Sequence, residues 1–183
     1  MTKLVPLLVV MGVAGCGKTT LGQYLSQCLG WPFLEGDDFH PPANIQKMAR
    51  GDPLTDEDRQ AWIGSIVATL DQQGAQPAIL ACSALTSIVR IQLKTARWHC
   101  CHWLLLDITE IEARRRVESR RGHFMPSALV ASQFDALEPP QDSLRLDAMA
   151  TPTDNGKTVL DALAAKGLVA DLSANGSEVV RNS

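Results

Sequence analysis

The stretch Leu7-Leu8-Val9-Val10-Met11 runs directly into Gly12-Val13-Ala14-Gly15-Cys16-Gly17-Lys18-Thr19-Thr20, and then into a helix-compatible run from Leu21 to Leu29. An apolar strand, a turn with the spacing G-x-x-x-x-G-K-T and a following helix leave few folds open. Glycines at 12, 15 and 17 let the backbone turn through conformations closed to other residues and leave room for phosphate oxygens. The successive N–H groups of residues 12–20 then cradle the phosphates, with the positive end of a helix behind them. Lys18 reaches the β- and γ-phosphates, and the Thr19 hydroxyl is a ligand for Mg²⁺. This segment therefore predicts a nucleoside triphosphate site, with Mg²⁺ beside the phosphates.

The rest of the composition narrows the class. At 183 residues and 45% apolar content, the chain has enough length for one globular domain with a substantial core. A net charge of −3 makes no bulk electrostatic case for nucleic acid or an anionic membrane. The residues before the first strand leave no room for a removable signal peptide, and no apolar run approaches a bilayer's thickness. Five cysteines (16, 28, 82, 100 and 101) have neither zinc-like nor C-x-x-C spacing, which suits reduced thiols in the cytoplasm. Cys16 lies inside the phosphate loop, either as an oxidation-sensitive thiol or, the preferred reading, as a small residue that fits.

Strands are expected at 7–11, 32–36, 77–82, 102–107 and 143–147, each short, apolar and bounded by turn residues. Between them, Leu21, Leu25, Cys28 and Leu29 form one apolar stripe. Thr55 followed by Asp56, Glu57 and Asp58 marks a capped start, with Trp62, Ile63, Ile66, Val67 and Leu70 as the buried face. Thr109 with Glu112 forms a capping box for a helix that stops at Gly122. Pro126 suits the first turn of a helix ending near Leu137, and Val159, Leu160 and Leu163 mark a last helix stopped by Gly167. The alternation implies an α/β fold: a mostly parallel five-stranded sheet in a three-layer αβα sandwich, with ligands at the carboxyl ends of the strands. The expected domain covers 1–172, with 173–183 as a frayed tail.

After the second strand comes Glu35-Gly36-Asp37-Asp38-Phe39-His40, followed by Asn44 to Met48. Acids in this place beside a phosphate loop are suited to Mg²⁺ or to a substrate hydroxyl; the alternative is a solvated loop carboxylate. Asp37 can orient a hydroxyl and accept its proton as the γ-phosphoryl departs, and Glu35 can hold a water on the metal. Arg59 is either a bidentate grip for a carboxylate or the partner of Asp56 within its helix. Arg114, Arg115, Arg116, Arg120 and Arg121 cluster ahead of Gly122-His123-Phe124-Met125-Pro126. Positions 116 and 120 share a helical face, so they can point together at phosphates, or the run is a solvated basic face at a helix end.

Taken together, Gly-Asp-Asp-x-His at 36–40, Asn-x-x-Lys-Met at 44–48, Gly-x-Pro-Leu-x-Asp-x-Asp-Arg at 51–59 and Trp62 resemble the gluconate kinases. Ala-Cys-Ser-Ala-Leu at 81–85, Arg-Arg-Gly-His-Phe-Met-Pro at 120–126 and Ser-Gln-Phe-x-x-Leu-Glu at 132–138 continue the likeness across residues 8–147. The resemblance implies a nucleoside-monophosphate-kinase-like fold related to shikimate kinase, usually a homodimer, that phosphorylates D-gluconate at its terminal hydroxyl with ATP. It implies Asp37 as base or hydroxyl anchor, and His40, Lys47, Arg59, Arg90 and His123 as sugar-acid contacts. It also implies a helical lid at about 112–130 whose Arg120, and secondarily Arg116, close over ATP while Phe124 and Met125 exclude water. Two departures stand out. Thr86 replaces the family's usual lysine and Val89-Arg90 its Tyr-Arg pair, and the segment after Pro140 is shortened, with an acidic pair reduced to Asp142. The alternatives are a kinase for another sugar or polyol acid, and a catalytically weak ATP-binding regulatory protein.

Overall fold

The computed structural model describes residues 4–119 and 128–169. Strands β1 (Val5–Met11), β2 (Phe33–Glu35), β3 (Ala78–Ala81), β4 (His99–Asp107) and β5 (Leu144–Asp147) form one sheet in the order β2-β3-β1-β4-β5. All four pairings are parallel. A parallel sheet needs crossovers that cover both faces, so its central strands are apolar throughout rather than alternating. β1 shows this: Leu8 and Val10 pack on one face, Leu7, Val9 and Met11 on the other, and all five are fully buried.

Helices α1 (Lys18–Leu29), α5 (Glu110–Ser119), α6 (Ala128–Ala136) and α7 (Pro152–Ala165) cover the first face. Helices α3 (Asp56–Gln73) and α4 (Ser87–Leu93) cover the second through Trp62, Ile63, Ile66, Leu70, Val89 and Leu93. The α3 start carries the full capping box: Thr55 Oγ1 accepts from the Asp58 amide, and Asp58 Oδ2 accepts from the Thr55 amide at 2.8 Å. At Thr109 only one half forms, because the Glu112 carboxylate is taken by Arg115 and Arg116 instead.

Several boundaries differ from the expectation. β4 begins at His99 rather than 102, paired all along β1. Cys28, expected in the α1 stripe, is exposed while Leu21 and Leu25 are buried. Two short helices went unexpected, α2 (Pro42–Ala49) and α4. Both span at most eight residues, too few to display an apolar period, and α4 is rich in β-branched residues that locally favour strands. Thr86 caps α4, its hydroxyl accepting from the Val89 amide. The expected stop at Gly122, the helix start at Pro126 and the tail 173–183 lie outside the described residues, as do Arg120, Arg121, His123, Phe124 and Met125.

Candidate active site

The carboxyl ends of β1, β2 and β3 open onto one cleft, lined by Lys18 and Thr19 at the start of α1, Glu35 at the end of β2 with Asp37 beyond it, and Ser83 after β3. The loop after β1 is shaped by its glycines. Gly12 (φ 138°) and Gly15 (φ 81°) lie in the left-handed region, and a side chain on Gly15 would meet the Ala113 carbonyl oxygen at 2.8 Å. The Lys18 ammonium folds back over the loop and donates to the carbonyl oxygens of Gly12 (3.2 Å) and Val13 (3.1 Å). Thr19 Oγ1 donates to Glu35 Oε2 at 2.6 Å. Burial pushes the Glu35 carboxyl above its ordinary value; the Thr19 hydrogen bond opposes that shift and nearby Asp37 adds to it. Thr19 and Glu35 are hard oxygen donors of the kind Mg²⁺ takes alongside phosphates and waters, so the pair fits that ion.

A short 3-10 turn, Gly36–Phe39, carries Asp37. It is clamped from below. Trp62 Nε1 donates to the Gly36 carbonyl at 2.7 Å, and the Trp62 ring stacks on His40 at 4.1 Å between centroids. A Cβ on Gly36 would lie 2.5 Å from the Ala81 carbonyl oxygen, so only glycine lets the turn sit against β3. His40 is buried, its Nε2 is 3.9 Å from Asp37 Oδ1, and its Nδ1 has no hydrogen-bond partner among the described residues. Burial holds the imidazole below its usual value, with Asp37 pulling the other way. His40 is therefore a neutral ring at neutral pH, facing the cleft beside the acid.

Asp37, His40 and Arg59 come together in this cleft. Arg59 lines the cleft while donating to Asp56 at 3.0 Å. Three other expected contacts are engaged elsewhere and do not line the cleft among the described residues. Lys47 donates to Asp58 Oδ2 at 2.6 Å. Arg90 is buried and donates to the carbonyls of Ala84 (3.0 Å) and Leu85 (2.9 Å), bracing a turn in which Ala84 has φ 45°. Arg116 is held by Glu112 at 2.7 Å and by the Ala148 carbonyl at 3.1 Å. With Arg115 it holds the Glu112 carboxyl down to about 2.

The structure adds residues that the sequence reading had not assigned a role. Trp62 was read only as a core and motif residue, and Gln133 only as a motif letter. Gln133 lines the cleft from α6, and its Oε1 accepts from the Ala14 amide at 2.7 Å.

A phosphate loop, an acid-bearing turn across from it and a cleft between them define a P-loop kinase of small molecules. Comparison with known proteins agrees: the family model described as shikimate kinase matches residues 14–141. A gluconokinase of Gluconobacter oxydans is 44% identical over 137 residues, covering 74% of this chain and 76% of that protein. The thermosensitive gluconokinase of Escherichia coli is 39% identical over 145 residues, covering 76% and 77%. The crystal structure of a gluconokinase from Sinorhizobium meliloti 1021 superposes with a TM-score of 0.78 at 34% identity, covering 95% of this chain and 99% of that one. The chain belongs to the gluconokinase family.

Proposed function

We propose that this protein transfers the γ-phosphoryl group of ATP to the 6-hydroxyl of D-gluconate, giving 6-phospho-D-gluconate and ADP. The observation that carries this reading is the convergence of the phosphate loop, Asp37 and Arg59 on one cleft, in a chain of the gluconokinase family. Lys18 and the loop amides hold the triphosphate. Asp37 accepts the hydroxyl proton, and Arg59 grips the carboxylate at the other end of the sugar acid. His40, kept neutral, offers the sugar hydroxyls a hydrogen bond without placing a second cation near the transferring group. Thr19, and Glu35 through a water, are the residues for Mg²⁺, which when bound neutralises charge on the phosphates.

Placement in the cytoplasm is supported by five cysteines that form no disulfide among the described residues. The resemblance to the family supports a homodimer, and the net charge makes no case for nucleic acid.

A coupled ADP-release assay over a panel of sugar acids tests the reading, with strongest turnover expected on gluconate. Strong turnover on a different acid with none on gluconate would overturn it. Asp37→Asn is expected to lower kcat by about a hundredfold or more, within the range for a general base, with ATP affinity within a few-fold of wild type. Unchanged kcat would remove Asp37 from the chemistry.

A further inference from the structure

Val10 of β1 and Glu35 of β2 both pair with Ala81, because β3 lies between those two strands in the sheet. Two positions beyond these three residues stand Gly12, which opens the phosphate loop, Asp37, the acid, and Ser83. Ser83 thus ends the strand that separates the phosphate loop from the acid, and its carbonyl accepts from the Gly12 amide at 3.3 Å. Among the described residues, three that carry an alcohol hydroxyl line the cleft: Thr19, Ser83 and Ser132. Thr19 gives its proton to Glu35 at 2.6 Å, and Ser132 gives its own to the Leu129 carbonyl at 2.9 Å. The Ser83 hydroxyl has no hydrogen-bond partner among the described residues. The turn behind it is strained and braced. Ala84 has φ 45°, the one non-glycine residue in the left-handed region among the described residues. Strain of this kind persists only where the surroundings over-determine it. Here Arg90 does so from its buried place, donating to the carbonyls of Ala84 at 3.0 Å and Leu85 at 2.9 Å. The Leu85 carbonyl also accepts from the Glu138 amide at 2.9 Å.

We propose that Ser83 is a specificity-determining residue of the acceptor site: its hydroxyl binds the secondary hydroxyl next to the reacting one, the 5-hydroxyl of gluconate. The inference rests on the kinase reading above. A serine hydroxyl both donates and accepts. Phosphate oxygens only accept and waters on a metal only donate, whereas a secondary alcohol does both and is the match for Ser83. The other charged groups of the cleft are one-sided: an ionised Asp37 accepts, and Arg59 donates. Position narrows the choice further. The reacting oxygen must meet both Asp37 and the γ-phosphoryl group, on either side of the end of β3, and the carboxylate is taken by Arg59 on α3. The substrate group opposite Ser83 is therefore the hydroxyl one carbon from the reacting oxygen. Held by its braced turn, Ser83 needs no rearrangement to make that bond, and a substrate without the hydroxyl leaves it unpaired.

The test compares the full wild-type chain with Ser83→Ala on gluconate and on its 5-deoxy analogue, reading kcat/KM by the coupled assay. Binding of the β,γ-imido analogue of ATP is measured by calorimetry, and the urea midpoint by circular dichroism. Because the Ser83 hydroxyl has no protein partner to lose, the midpoint should not move. On gluconate, Ser83→Ala should lower kcat/KM by about fivefold to fiftyfold, the scale of one hydrogen bond to a substrate hydroxyl. On the 5-deoxy analogue the two proteins should agree within about twofold, and the imido analogue should bind both equally. Equal losses on gluconate and the 5-deoxy analogue would overturn the proposal, since Ser83 would then only shape the turn. Weaker binding of the imido analogue would overturn it by placing Ser83 on the phosphates, and so would an unchanged kcat/KM on gluconate. Wild-type protein that works only on another polyol acid would sink the gluconate assignment, and Ser83 is then judged by the same comparison on that acid and its deoxy analogue. Turnover on no polyol acid at all would overturn both.

Discussion

Trp62→Phe is the substitution that most directly tests how the acceptor side is built. Trp62 is 3% exposed, and its indole N–H is the donor to the buried Gly36 carbonyl at 2.7 Å. Phenylalanine fits the space but cannot donate. Stranding a buried carbonyl costs about 1–3 kcal/mol. Losing the pyrrole half of the indole removes roughly 40 Å² of buried apolar contact, about 1 kcal/mol. Part of the stack on His40 survives, so the total is about 2–4 kcal/mol. With a urea m-value of roughly 2–3 kcal/mol per molar for a domain of this size, the midpoint falls by about 1 M. The assay is urea unfolding followed by circular dichroism, alongside steady-state kinetics. Because Gly36 immediately precedes Asp37, kcat should fall while the imido analogue of ATP binds normally. A midpoint shift under about 0.2 M, or an unchanged kcat, would refute the claim that Trp62 clamps the acid-bearing turn.

Three further outcomes are expected. Arg59→Ala should raise KM for gluconate about tenfold or more with a smaller effect on kcat, whereas Lys47→Met, which removes only the half-exposed pair with Asp58, should leave KM within a few-fold; steady-state kinetics decides. The His40 ring is held below its ordinary value by burial, so the unfolded chain takes up a proton there before the folded protein does. The stability from that neutral ring is complete above about pH 6.5 and is lost as pH falls toward the folded-state value, at no more than about 1.4 kcal/mol per pH unit. His40→Gln should flatten the slope of urea midpoint against pH between 7 and 5, leaving the parts due to His99 and His102, which burial shifts in the same direction. Arg90→Met should cost about 2–4 kcal/mol by leaving the Ala84 and Leu85 carbonyls without their charged donor, roughly 5–15 °C in Tm by calorimetry.

Local chemistry made much of this legible. The phosphate loop, the five parallel strands and the α3 cap are each written in fewer than ten consecutive residues, where the allowed backbone angles, the apolar run or a side chain three positions on decides the outcome. The roles of Lys47, Arg90 and Arg116 were not legible in that way. Each is a long cation whose partner is chosen by what the fold brings near: Asp58, the 84–85 turn and the Ala148 carbonyl. The sequence also left Arg59 between two readings; the structure shows the pair with Asp56, in a side chain that lines the cleft.

By itself, then, the sequence determined that a nucleotide site follows β1 and that an acid stands across from it after β2, because strand, turn and helix signals are short-range. The tertiary structure alone decided how that acid is held and what packs against the phosphate loop. The Trp62–His40 stack joins residues 22 positions apart and the Gln133–Ala14 bond residues 119 apart. Such pairings follow from the crossing of helices over a parallel sheet, and no periodicity or spacing along the chain encodes them.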